Sequence, residues 1–113
     1  MKRKTDAPDR GDLVWLQFSP RRGHEQAGRR PALTISPKVY NEKTDLALFC
    51  PVTSRIKEYP FEVKLSDDLP VSGVVLTDQL KSLDWRARKA ERIGKVPTSV
   101  MAEVLAKLAA LVS

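Results

Sequence analysis

From Gly11 to Pro97 the chain is a succession of short apolar runs, each cut by proline, glycine or a polar turn, and this punctuation restricts it to short strands. The runs cover residues 13–18, 32–35, 46–50, 61–65, 74–77 and 94–97, and residues 80–85 read as a further strand or a turn of helix. In the first run Leu13, Trp15 and Gln17 point one way and Val14, Leu16 and Phe18 the other. Both faces are largely apolar, which predicts a strand covered on both sides with Trp15 in the core. Pro51 is expected to end the third run, because proline cannot donate to a ladder. Phe61, Val63 and Leu65 share the buried face of the fourth. Ser36-Pro37 predicts a short helix over residues 38–41, with Ser36 as cap. Thr98 is placed to cap a C-terminal helix in which Val100, Met101, Val104, Leu105, Leu108, Leu111 and Val112 recur at helical spacing, with Glu103 and Lys107 paired on another face. A stripe this wide can also serve a subunit contact. The expectation is a mainly β chain: a small SH3-like antiparallel barrel with short helices and a C-terminal α-helix.

A length of 113 residues sets one domain, residues 11–113, behind a flexible charged tail, residues 1–10, in which Lys2, Arg3 and Lys4 read as solvated. The chain has no apolar run approaching the roughly 18 residues a membrane span needs and no apolar leader segment, so a cytoplasmic protein is expected. Cys50 is the only cysteine, which excludes an intrachain disulfide and a zinc knuckle. His24 is the only histidine, which excludes a two-histidine acid/base mechanism. The acidic residues are dispersed, and there is no phosphate-binding glycine loop, so no metal site and no cofactor are expected.

Charge is the remaining signal. The net charge is +6, and residues 1–56 hold 11 Lys+Arg against 6 Asp+Glu. Arg21, Arg22, Arg29 and Arg30 flank a loop freed by Gly23 and Gly28, with Glu25 inside it, and Pro31 holds Arg30 extended at the mouth of a strand. A second cluster is formed by Arg86, Arg88, Lys89, Arg92 and Lys95. Two basic clusters on a small domain fit a groove for a phosphate backbone. RNA brings its own nucleophile, the 2′-hydroxyl. A protein cutting it needs proton transfer at two oxygens and donors for the phosphoryl charge. Arginine forks onto phosphate and a hydroxyl donates to the same centre. Arg30 at a strand start and Thr53 at a strand end can supply both if their strands are neighbours. Ser54 and Arg55 follow at the same strand exit.

The ordered set Gly11-Asp12-Leu13-Val14-Trp15, Gly23-His24-Glu25-Gln26-Ala27-Gly28-Arg29-Arg30-Pro31-Ala32, Ser36-Pro37, Tyr40-Asn41, Pro51-Val52-Thr53-Ser54, Tyr59-Pro60-Phe61-Glu62-Val63, Asp78-Gln79-Leu80-Lys81-Ser82 and Trp85-Arg86-Ala87-Arg88 resembles the MazF/PemK/Kid family of toxin endoribonucleases. The resemblance runs from about Asp9 to the C-terminus. It implies a dimer of SH3-like barrels that cuts single-stranded mRNA at short sequences without a metal, leaving a 2′,3′-cyclic phosphate and a 5′-hydroxyl. It places the family's catalytic arginine on Arg30, its catalytic threonine on Thr53 and its loop glutamate on Glu25. Asn41 and Gln79 match positions near the RNA groove, and Arg29, Ser54, Arg55, Lys81, Arg86 and Arg88 complete the expected RNA-binding set. Relatives carry a histidine just before the arginine, where this chain has Arg29. The family also implies a cognate acidic antitoxin of the MazE kind, competing with RNA for the groove. Two other readings suit the basic loops: a gyrase-binding toxin resembling CcdB on the same fold, and a non-catalytic RNA-binding module.

Overall fold

The computed structural model describes residues 6–17 and 28–113. The predicted loop around Glu25, the start of the tail and Phe18 lie outside them. Among the described residues seven strands and two helices run in order: β1 (Asp12–Gln17), β2 (Arg29–Thr34), α1 (Lys38–Thr44), β3 (Leu46–Thr53), β4 (Glu62–Lys64), β5 (Val74–Leu76), β6 (Lys81–Asp84), β7 (Glu91–Lys95) and α2 (Thr98–Val112). A 3-10 turn, Thr77–Gln79, joins β5 to β6.

All pairings are antiparallel, and the strands run β4-β5-β3-β2-β1-β7, with β6 bonded to β3. Among the described residues no ladder joins β4 to β7, so the barrel is open along that seam. β3 organises it. On one edge its residues Leu46 to Phe49 pair with β6 and Val52 and Thr53 with β5. Pro51 therefore does not end the strand as expected. It falls where that edge changes partner, and a missing N–H there interrupts no ladder.

The doubly covered first strand is observed. Leu13 packs into a cluster with Leu33, Val52 and Val75, while Val14 and Leu16 pack on the other face with Ala32, Phe49 and Trp85. α2 closes the first cluster with Val100, Met101 and Val104. Each such side chain contributes about 1.5–3 kcal/mol when fully buried.

Several local expectations are corrected. Residues 6–10 are not a tail: Ala7 is buried, the Pro8 carbonyl accepts Asn41 Nδ2, and Arg10 Nε donates to the Ile35 carbonyl. The caps of α1 and α2 are Pro37 and Pro97, without side-chain bonds, so Ser36 and Thr98 each sit one place from the expected role. Ser36 is used elsewhere: its hydroxyl donates to Asn41 Oδ1 and accepts the Leu48 amide. Lys107 reaches the Pro60 carbonyl at 2.7 Å rather than Glu103, anchoring α2 to the loop before β4. Phe61 is left partly exposed, while Val63 and Leu65 are buried as expected. No helix among the described residues is long and apolar enough to cross a membrane.

Candidate active site

β2 and β3 are neighbours, with Ala32 opposite Pro51, Leu33 opposite Cys50 and Thr34 opposite Phe49. Continuing that antiparallel register by two residues sets Arg30 opposite Thr53, where β2 begins and β3 ends. Both residues line one open hollow of about 360 Å³, together with Trp15, Ser54, Val71 and Ser72. Trp15 is therefore not the core tryptophan the pattern predicts. It is half-buried, paired with Pro31, and presents an aromatic surface beside the arginine. No local signal separates it from its neighbours, since apolar residues flank it on both sides.

Thr53 also lines a second hollow of about 220 Å³, with Arg55, Lys57, Tyr59, Glu62, Asp78 and Gln79. It stands on the rim between the two. Its Oγ1 accepts the Arg55 amide at 3.1 Å. A hydroxyl has one donor and two acceptor positions, so this bond leaves the O–H to donate outward. Glu62 shapes the second hollow by accepting the Lys57 and Glu58 amides at 3.1 and 2.9 Å. Thr77, fully buried, donates to the Phe61 carbonyl at 2.6 Å and pins the turn that carries Asp78 and Gln79.

Beneath Thr53 lies Gly73, with φ +125°. A Cβ at that position would stand 2.2 Å from the Thr53 carbonyl oxygen and 2.9 Å from its carbon. The backbone of the chain before β5 thus lies directly against the residue on the rim, and only glycine permits it.

The other expected site residues divide. Ser54 and Arg55 are exposed beside Thr53, and Gln79 is exposed at the second hollow. Lys81 is exposed on β6, paired with Phe49, outside either lining. Arg29 is paired with Glu91 at 2.6 Å, Arg86 with Asp45 at 3.2 Å while stacking on Trp85, and Arg88 donates to the Gln17 carbonyl at 2.9 Å. Asn41 must be withdrawn as an RNA contact. It is fully buried, its amide nitrogen donates to the Pro8 and Ser36 carbonyls, and its oxygen accepts the Ser36 hydroxyl. It ties the chain before β1 to α1. Glu25 lies outside the described residues. Trp15, Tyr59, Glu62, Asp78 and Gly73 enter the site from the structure.

Cys50 is buried in the first core cluster, with Leu33 and Val52. Burial, with the charge of Asp78 adding to it, pushes its thiol up to about 12. It stays protonated and is not a nucleophile. Among the described residues no three His, Cys, Asp or Glu side chains converge as a metal ligand set.

Residues 9–112 match the family model described as a PemK-like, MazF-like toxin of a type II toxin-antitoxin system. The endoribonuclease toxin MazF of Escherichia coli K12 is 48% identical over 105 residues, which cover 93% of this chain and 94% of that relative. The crystal structure of MazF from Deinococcus radiodurans superposes with a TM-score of 0.85 at 58% identity, covering 94% of this chain and 96% of that one. A MazE-MazF complex from the same organism matches with a TM-score of 0.84 at 54% identity, covering 94% of this chain and 95% of that one.

Proposed function

The chain belongs to the PemK-like, MazF-like toxin family of type II toxin-antitoxin systems, and from that premise we propose that it cleaves single-stranded RNA at the strand mouth shared by Arg30 and Thr53. It is an endoribonuclease toxin. The 2′-hydroxyl attacks the adjacent phosphorus and gives up its proton. The bond to the 5′-oxygen breaks, and that oxygen takes a proton. The products are a 2′,3′-cyclic phosphate and a 5′-hydroxyl. Arg30 forks onto the non-bridging oxygens, stabilises the phosphorane and takes part in proton transfer. Thr53 orients the phosphate through its outward hydroxyl. The reaction calls for no metal ion, because the nucleophile comes with the substrate and Arg30 supplies positive charge at the phosphorus. Glu25 would position the loop or Arg30.

The observation that carries this reading is the register of β2 against β3, which supports a single phosphate meeting both side chains. The protein acts as a homodimer in the cytoplasm, restrained by an acidic antitoxin of the MazE kind laid over the basic groove. Purified Arg30→Ala protein, incubated with single-stranded RNA in EDTA, is expected to leave the RNA intact while remaining a folded dimer. Cleavage at the wild-type rate would remove Arg30 from the mechanism. A wild type that binds RNA without producing new ends would instead mark a binding module, and one that spares RNA but arrests gyrase would mark a CcdB-like toxin.

A further inference from the structure

Most of the second basic cluster is left over once Arg30 and Thr53 have been placed. It lines a surface depression of about 630 Å³ along β7, reaching from the chain before β1 to the first residue of α1. Five cations, Lys38, Arg86, Lys89, Arg92 and Lys95, face three carboxylates there, a surplus of two positive charges. Two of the carboxylates are already engaged. Asp12 Oδ1 accepts Arg92 and Lys95 at 3.2 and 3.3 Å, and its Oδ2 accepts the Asp9 amide. Asp9 accepts the amides of Arg10 and Lys38. Burial pushes the Asp9 carboxyl up, but those two amides and the charges of Lys95 and Lys38 outweigh it and leave it below its ordinary value. Arg86 is shared with Asp45. Among the described residues Lys38 and Lys89 form no ion pair; with Arg86 taken by Asp45 and Asp6 the one lining carboxylate in no ion pair, an excess of one positive charge rests on these two lysines.

The depression and the hollow share no lining residue, and side-chain and backbone bonds near Arg30 connect them. Arg29, the neighbour of Arg30 on β2, reaches Glu91 at 2.6 Å and the Lys89 carbonyl at 3.5 Å. The Gln17 amide donates to the Arg88 carbonyl, and Arg88 returns a bond to the Gln17 carbonyl. The turn bearing Lys89 is thereby stitched to the strand ends that hold Arg30. Lys89 itself has φ +55°, a conformation in which glycine is cheaper than lysine. Lysine stands at that position against the backbone's preference.

Resting on the endoribonuclease reading, we infer that this depression is a second RNA site, which holds the phosphodiester backbone flanking the cut as it leaves Arg30 and passes over Arg29 and Lys89 towards Lys38. It recognises phosphate rather than base and so extends the footprint without adding to the cut sequence. Each phosphate neutralised on a single strand adds about 0.7 to the slope of log affinity against log salt.

The test compares a minimal RNA carrying only the cut sequence with the same RNA extended by unstructured nucleotides at either end. The variants are Lys89→Gly, which suits the positive φ, and Lys38→Gln, which keeps the backbone amide on Asp9. The wild type is expected to show a severalfold lower KM for the extended RNA at equal kcat. Each variant is expected to lose much of that advantage, lower the salt slope by about 0.7 and leave the minimal RNA unaffected. Equal KM for both RNAs in the wild type, or variants that weaken both equally, would overturn the second site while leaving the ribonuclease intact. Cleavage of neither RNA would overturn the ribonuclease reading itself. Variants that lose affinity for an acidic antitoxin peptide but keep the RNA length preference would assign the depression to a protein and also overturn the inference.

Discussion

Replacing Gly73 by alanine tests whether the backbone under Thr53 sets the geometry of cleavage. Two costs are added. The first is conformational: φ +125° is a region L side chains rarely adopt, worth about 1–3 kcal/mol of strain. The second is a collision. The new Cβ would lie 2.2 Å from the Thr53 carbonyl oxygen, whereas ordinary contact begins at 3.4 Å, so one of the two must retreat by about 1.2 Å. The neighbour is backbone within a strand end, not a flexible side chain, and Thr53 is expected to be displaced. A misplacement of about 1 Å at a reacting group costs on the order of 100-fold in rate. Gly11→Ala supplies the control. Gly11 also has positive φ, +94°, but its Cβ would meet only the Lys95 side chain, at 3.7 Å. Both variants should lose stability to strain, measured by urea unfolding. Only Gly73→Ala should lose about two orders of magnitude in single-turnover RNA cleavage, measured at a temperature where both remain folded. Equal cleavage rates in the two variants would refute a positioning role for the contact beneath Thr53.

Two further outcomes follow from buried groups. Asn41→Ala leaves the Pro8 and Ser36 carbonyls and the Ser36 hydroxyl without their partner, at about 1–3 kcal/mol for each group left unsatisfied. Thermal unfolding should show the loss, while the folded fraction cleaves RNA at the wild-type rate; a selective rise in KM would restore Asn41 to the RNA surface. For Cys50 the folded-state value is raised, from 9.0 to about 12, so the protonated thiol stabilises the fold. That contribution is complete below pH 9 and is lost as the pH rises towards about 12, at up to about 1.4 kcal/mol per pH unit. Cys50→Ala should flatten this alkaline decline in urea titrations, and the native thiol should resist alkylation at pH 8; rapid alkylation of the folded protein would contradict both.

The punctuation of the chain was enough to place its strands to within about three residues at each end, because proline, glycine and period-2 apolar runs act locally. It also placed the terminal helix, whose stripe buries Val100, Met101 and Val104. Arg30 and Thr53 were legible for the same reason, one beside a proline at a strand mouth and the other at a strand end. Their meeting was not local. It depends on β2 lying against β3 in one register, a choice among pairings that only the shared burial of both sheet faces makes. The basic residues show the same division. Sequence counts charges, but Arg29, Arg86 and Arg92 are tied to Glu91, Asp45 and Asp12, while Lys38 and Lys89 are left to face a depression together. Asn41 and Trp15 exchange their expected places, polar inward and aromatic towards the hollow, because burial follows from what packs above a residue rather than from its own polarity. Residue type determined which chemistry this chain can offer; the long-range pairing of its strands decided which of those groups line the same hollow.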